Sequence, residues 1–272
     1  MKGKGQFQKV LNIDYNEIGK LLSCNNYRVW RNSDGRVIQQ PISWLAKVHK
    51  RIANLLNRIE LPDYIYSQLG RSYSDNARVH VGETPLVKTD IHKFFPSTTR
   101  NMVYKMFRNE FQCALDISNV LADICCYKQS HLPTGSPLSG RVAFFAAKNM
   151  FDEIMGYVSK YDCMLSVYVD DITVSGKNAT KQLLGEVRKI ISKHGYLTKQ
   201  RKSFTYPESK PKQVTGTIVT SDDLRLPNQR HKKIWETRKQ IKVADPVEKD
   251  RLMKSLQGRI QESKQITKKS QY

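Results

Sequence analysis

The stretch SVYVDDITVS, residues 166–175, sets two adjacent aspartates between runs of alternating β-formers. Aspartate is a poor strand residue, and neighbouring carboxylates repel, so Asp170 and Asp171 mark a turn between two strands. A turn alone accounts for one acid. A second acidic strand end lies about 80 residues upstream in KTDIHKFFPS, where Asp90 closes the run PLVKTDI. If the two elements lie side by side, three carboxylates meet at one edge of a sheet. Without a cation that crowding pushes one pKa up sharply. Two Mg²⁺ ions remove the conflict and make a phosphoryl-transfer site, because magnesium takes oxygen ligands and shares its shell with substrate phosphates.

The charge balance points to the same kind of substrate. There are 46 Lys+Arg against 25 Asp+Glu, a formal net charge of +21. Such an excess opposes compaction, and nucleic acid is its natural counterpart. No apolar run approaches the roughly 18–20 residues needed to span a bilayer, and MKGKGQFQKV has no signal-peptide core. No membrane partner is therefore expected. Cys24, Cys113, Cys125, Cys126 and Cys163 lack CxxC pairing and read as reduced, mostly buried thiols of a cytosolic protein.

Around the acidic pair the elements are well marked. Residues 27–40 read as a hairpin turning at Asp34-Gly35, and Pro41 opens a helix with Ile42, Leu45, Val48, Ile52, Leu55, Leu56 and Ile59 on one face. Thr98 is placed to cap a helix running to about Glu110. Residues 140–159 form a single apolar helix, and a further helix runs from Thr180 to a stop at Gly195. Residues 214–227 suggest another short hairpin. Asp245-Pro246 signals a helix start within 230–272, a tail of 13 Lys/Arg against 5 Asp/Glu that reads as a separate basic helical subdomain.

In that order these blocks resemble a reverse transcriptase, from about Arg36 to Gly216. TDIHKFF resembles the first catalytic block, YVDD the third, LPTGSPLSG the block backing the nucleotide, GYLTKQRKSF the fourth and GRVIQQP the fingers block. The resemblance implies Asp90, Asp170 and Asp171 as catalytic metal ligands, with the Ile91 carbonyl beside them. It implies Arg36, Phe95, Gly135 and Lys202 as nucleotide-binding residues. Phe95 would exclude a 2′-hydroxyl, and Lys202 would either sit near the triphosphate or give a proton to pyrophosphate. Thr134 stands where that block usually has glutamine, and Val169 where alanine is more usual.

NARVH (Asn76 to His80) and VTG (Val214 to Gly216) are similar to two motifs of retron-type bacterial enzymes. That resemblance implies an α+β right-hand polymerase whose antiparallel palm sheet carries the aspartates. The fingers would take 1–85, the palm 86–225 with fingers helices inserted around 98–135, and the basic helical thumb 226–272. It implies two Mg²⁺ ions, deoxynucleoside triphosphates, a cognate structured non-coding RNA and its RNA-linked DNA product (msDNA). It also implies a bacterial cytoplasmic setting in antiphage defence with a separate effector protein. Asn76, His80, Lys232, Lys233 and Arg238 are the expected RNA contacts, and Trp235 can stack on unpaired bases. Another defence-associated or mobile-element reverse transcriptase, and a non-catalytic RNA-binding scaffold, remain the rival readings.

Overall fold

A computed structural model describes residues 1–267 of the chain. Lys4–Leu11 (α1) buries Phe7 and Leu11, one turn apart, and ends at Asn12 in the left-handed region (φ 56°). Ile18–Leu21 (α2) is a single turn. Tyr27–Arg31 (β1) and Val37–Pro41 (β2) pair antiparallel as expected. Their turn is held by Asn32 Oδ1, which accepts from the amides of Asp34 and Arg36, and Gly35 takes the φ of 74°. Pro41 belongs to β2, paired with Tyr27, so Ser43–Leu56 (α3) starts two residues later than expected. Leu45, Val48, Ile52 and Leu56 are buried, whereas Ile59 falls past the helix end and is exposed.

Tyr73–Arg78 (α4) carries a capping box between Ser72 and Asp75. Leu86–Asp90 (β3) matches the expected strand. Phe94–Ser97 (α5) precedes Arg100–Lys105 (α6), which widens into a π-turn at Met106–Glu110. The cap of α6 is Thr99, whose hydroxyl accepts from the Met102 amide, not Thr98. Thr98 is buried and its hydroxyl donates back to the Phe94 carbonyl. Leu115–Cys125 (α7) follows. The apolar run expected as one helix is two, Ser139–Ala146 (α8) and Lys148–Ser159 (α9), broken at Ala147.

Met164–Tyr168 (β4) and Asp171–Ser175 (β5) form the acidic hairpin. Lys181–Lys193 (α10) is capped by Thr180, whose hydroxyl accepts from the Leu183 amide, and Gly195 (φ 82°) ends it. Phe204–Tyr206 (β6) completes a four-stranded antiparallel sheet in the order β4-β5-β3-β6. Lys212–Val214 (β7), Thr217–Val219 (β8) and Leu224–Arg225 (β9) make a three-stranded sheet where two strands were expected. Asn228–Val243 (α11) and Pro246–Thr267 (α12) follow, with Asp245 Oδ1 accepting from the amides of Val247 and Glu248 at the start of α12. Residues 268–272 of the expected thumb lie outside the described residues.

The chain divides into two compact units. The first takes residues 1–62, 91–156 and 187–199, and the second takes 63–90, 157–186 and 200–272. In the first, Phe94, Phe144 and Phe151 pack ring on ring, and His49 is fully buried. His49 Nε2 lies 2.8 Å from the Ile124 carbonyl, and its Nδ1 2.7 Å from Ser136 Oγ. A carbonyl only accepts, so Nε2 carries the proton and Nδ1 accepts from the serine. In the second unit, Ile266 of α12 is sealed into a cluster with Ala77, Leu86, Val214, Val219, Leu224 and Leu226. The basic tail, read from charge as separate, is therefore tied by its far end into the unit that holds the acidic sheet. Four of the five cysteines are buried free thiols, and Cys24 is exposed.

Burial holds the His49 imidazole down to about 4, and burial followed by the Lys212 charge holds His80 down to about 3. Both lie below the ordinary 6.5, so below that pH the unfolded chain takes up protons that the folded chain refuses. The stabilisation is complete above pH 6.5 and is lost progressively as pH falls from there to about 4 for His49 and about 3 for His80. Each histidine should cost on the order of 2 kcal/mol at pH 5 relative to pH 7. Urea unfolding at the two pH values should show a lower midpoint at pH 5. His49→Gln should shrink the difference.

Candidate active site

The site is built by strand register. β4 and β5 pair Tyr168 with Asp171, leaving Val169 and Asp170 as a two-residue turn. Val169 takes a φ of 60°, a left-handed conformation that a β-branched side chain resists by on the order of 1–3 kcal/mol. The conformation is held by its amide, which donates to Ser67 Oγ at 3.2 Å. On the other side of β5, β3 runs antiparallel with Asp90 directly opposite Asp171. The acid at the end of one strand thus faces the acid at the start of the next. Asp90 is buried, and Asp170 and Asp171 are half-buried.

Two lysines answer this charge. Lys202 Nζ donates to Asp90 Oδ2 at 2.6 Å. Burial works to lower the Lys202 pKa, but the hydrogen bond and charge of Asp90, with Asp171 and Asp170 behind it, leave it raised. Lys88 lies two residues before Asp90 and therefore on the same face of β3. Its pKa is lowered by burial, with Asp171 and Asp90 pulling it back up and Lys202 pushing it down. The Lys88 ammonium also sits 5.5 Å from the Phe204 ring centroid. Sequence reading passed over Lys88, although the two-residue period of the strand carried the signal.

Arg36, Ile91, Phe95 and Gly135 belong to the first unit, each in its own surroundings. Arg36 is exposed at the turn between β1 and β2. Ile91 is fully buried and bridges Thr198, and Phe95 is half-buried, 5.9 Å from the Phe94 ring. The loop LPTG is stapled to β2. Thr134 Oγ1 donates to the Val37 carbonyl at 2.7 Å, its amide donates to Gln39 Oε1 at 3.2 Å, and the Gly135 amide donates to the Gln39 carbonyl at 3.1 Å. A Cβ on Gly135 would stand 2.9 Å from both Gln39 O and Ile38 Cγ2, so only glycine allows this approach.

The expected RNA contacts divide. Lys232, Lys233 and Arg238 are exposed on α11. Trp235 is exposed too, with the Lys239 ammonium 3.7 Å above its ring. Asn76 and His80 are corrected: both side chains are buried and present no atom to an RNA. His80 instead lies between two serines, Nδ1 2.6 Å from Ser175 Oγ and Nε2 2.6 Å from Ser166 Oγ. These hydroxyls were no part of the motif, so the partnership became legible only in three dimensions.

Among the described residues, no three His, Cys, Asp or Glu side chains gather closely enough to hold a metal on their own. Register supplies a facing pair of carboxylates with a third acid in the adjoining turn. The donors are hard oxygens matched in kind to Mg²⁺, which characteristically completes its shell with substrate phosphates and water. The chain therefore fits magnesium as a partial ligand set.

Gly135→Ala should destabilise the first unit by about 1–3 kcal/mol, because neither the Gln39 backbone nor the strand beneath it can give way cheaply. A thermal melt checks this, and Gly140→Ala, where the added methyl meets open space, is the control.

The family described as reverse transcriptase (RNA-dependent DNA polymerase) matches residues 15–219. Retron Ec86 reverse transcriptase of Escherichia coli is 28% identical over 203 residues, covering 73% of this chain and 63% of that protein. Retron Se72 reverse transcriptase of Salmonella heidelberg is 28% identical over 180 residues, covering 64% and 46%. The chain thus spans less than two thirds of the length of these relatives. Among solved structures, an apo telomerase from Candida tropicalis superposes with a TM-score of 0.51 at 13% identity, covering 74% of this chain and 54% of that one. A foamy viral protease-reverse transcriptase in complex with an RNA/DNA hybrid gives 0.50 at 16% identity, covering 88% and 27%. At these identities the structural likeness speaks for the polymerase fold alone. With three quarters of its length inside the family's span, the chain belongs to the reverse transcriptase family.

Proposed function

We propose that this chain is an RNA-directed DNA polymerase of retron type. In this reading it binds a cognate structured RNA and copies part of it into single-stranded DNA that stays joined to the RNA (msDNA). The carrying observation is the β3–β5 register, which opposes Asp90 to Asp171 with Asp170 one residue away. Similarity to retron enzymes supports the subgroup. We assign fingers to 1–85 and the inserted helices around 98–135, palm to 86–225 and thumb to 226–272.

The reaction joins a primer hydroxyl to the α-phosphate of a deoxynucleoside triphosphate and releases pyrophosphate. Asp90, Asp170 and Asp171, with the Ile91 carbonyl, would hold two Mg²⁺ ions, whose chemistry there would be to activate the hydroxyl and neutralise the leaving pyrophosphate. The chain's own part is to hold four oxygen donors in place and to keep cations beside them. Lys202 is assigned either to the triphosphate or to giving a proton to pyrophosphate. Arg36 suits the triphosphate because guanidinium bonds phosphate oxygens in pairs. Gly135, by closing the LPTG loop onto β2, shapes the nucleotide's backing. Phe95 is assigned to the sugar. The exposed Lys232, Lys233 and Arg238 take RNA phosphates. A bacterial cytoplasmic role in antiphage defence with a separate effector protein belongs to the same proposal.

The purified chain, with the nucleic acid that accompanies it, should incorporate deoxynucleotides on that RNA in Mg²⁺. Asp170→Ala should abolish synthesis without lowering RNA affinity. Sequencing the bound nucleic acid should reveal a branched RNA–DNA hybrid. RNA binding without synthesis across divalent metals and templates would instead favour a scaffold. Phe95→Ala should relax discrimination against ribonucleotides by roughly ten- to two-hundred-fold, measured as a ratio of kcat/KM values.

A further inference from the structure

His80 has no part in the chemistry above, yet it is among the most completely enclosed polar groups of the chain. It follows α4 directly, and its backbone amide donates to the Ala77 carbonyl. Its two partners stand on the two strands of the acidic hairpin, Ser166 on β4 and Ser175 on β5. In the register Ser166 pairs with Thr173, so Ser175 is its diagonal neighbour on the same face of the sheet. Diagonal neighbours lie about 7–8 Å apart, a gap that an imidazole with one hydrogen bond at each nitrogen can span. Asp171, Thr173 and Ser175 alternate along that face, and Asp90 joins it across β3. The bridge therefore grips the hairpin on the face that carries the acids, a few residues from the turn.

We propose that His80 is a positioning residue for the catalytic turn: it fixes the offset of β4 against β5, and thereby where Asp170 and Asp171 stand relative to Asp90. The inference rests on the polymerase reading and gives its site an added part. The imidazole is neutral, so one ring nitrogen donates to its serine and the other accepts from its serine's hydroxyl. The helix behind it is fixed. Ser72 and Asp75 cap α4, Thr215 Oγ1 donates to the Tyr73 carbonyl at 2.7 Å, and the Tyr73 hydroxyl donates to Glu262 Oε1 at 2.7 Å. Arg230 holds the same carboxylate at 2.8 Å. NARVH and VTG thus act together, one supplying the bridge and the other bracing the helix that carries it.

The test uses the full chain with its RNA and compares Ser166→Ala, Ser175→Ala, the double variant, and Ser166→Thr with Ser175→Thr, which keep the hydroxyl. His80→Gln accompanies them, but the serine variants decide the matter because they disturb packing least. For the double alanine variant, kcat should fall by at least about ten-fold with the KM for nucleotide within two-fold. RNA affinity should be unchanged, and the melting temperature should fall by several degrees because two buried ring nitrogens lose their partners, with the variant still folded at the assay temperature. Mn²⁺ binding, read by electron paramagnetic resonance, should weaken in parallel, and the threonine variants should recover most of the loss. Wild-type kcat in a folded double alanine variant would overturn the proposal. So would a loss confined to RNA affinity, or threonine variants as impaired as alanine. A wild-type chain that makes no DNA would sink the polymerase reading instead, and Mn²⁺ binding would still report on the bridge.

Discussion

Two carboxylates facing each other across a strand pair are a constraint that the rest of the second unit must satisfy. Direct opposition of like charges weakens an antiparallel ladder, and burial of Asp90 raises the cost. The surroundings respond at several points. Lys202 bonds Asp90, Lys88 stands one strand period away, and Ser67 holds the Val169 backbone in a conformation it would otherwise leave. None of these features stabilises a fold for its own sake. A hairpin with glycine at 169 and asparagine at 171 would be easier to fold, and would have one carboxylate fewer to offer a cation.

The first unit solves a different problem, that of holding a loop against a hairpin. The substitution of threonine for glutamine at 134 looks like a loss when read as a motif, but the structure uses the small hydroxyl. It reaches the Val37 carbonyl, while Gln39 on β2 supplies the side-chain amide acceptor for the loop. The loop is also tied inward, since His49 accepts from Ser136 and donates to Ile124. The LPTGS loop is thus held from two sides, by β2 through its backbone and by His49 through the Ser136 hydroxyl.

The hairpin between β1 and β2, the β3 and β5 strands and the caps at Thr180 and Asp245 were legible because each depends on neighbours in sequence. What escaped depended on distance. Thr99 takes the cap expected of Thr98 because Thr98 is drawn into the interior, and Ala147 breaks an apolar run that periodicity alone reads as continuous. Asn76 and His80 are expected as RNA contacts only through the resemblance of NARVH to a retron motif. Only the packing of α4 on the sheet reveals an internal bridge. The three-stranded arrangement of β7, β8 and β9 escaped for a similar reason, as a two-residue strand carries almost no periodicity.

The tail shows how binding charge and folding energy are kept on different residues. The i,i+4 pairs Lys232–Glu236 and Lys254–Asp250 are exposed, and pairs of that kind contribute little. The helices are held instead by apolar burial of Ile266, by Arg259 donating to the Lys233 carbonyl, and by the Tyr73–Glu262–Arg230 contact. Lys233 and Arg238 can then face solvent without the tail depending on them. Under the proposed function this separation matters, because a surface that must release and regain polyanion cannot also be what keeps the helices folded. The +21 charge repels itself at every stage, and screening by salt weakens that repulsion over about 8–10 Å. What remains is offset locally by the buried cluster, so the excess charge can serve as a binding surface.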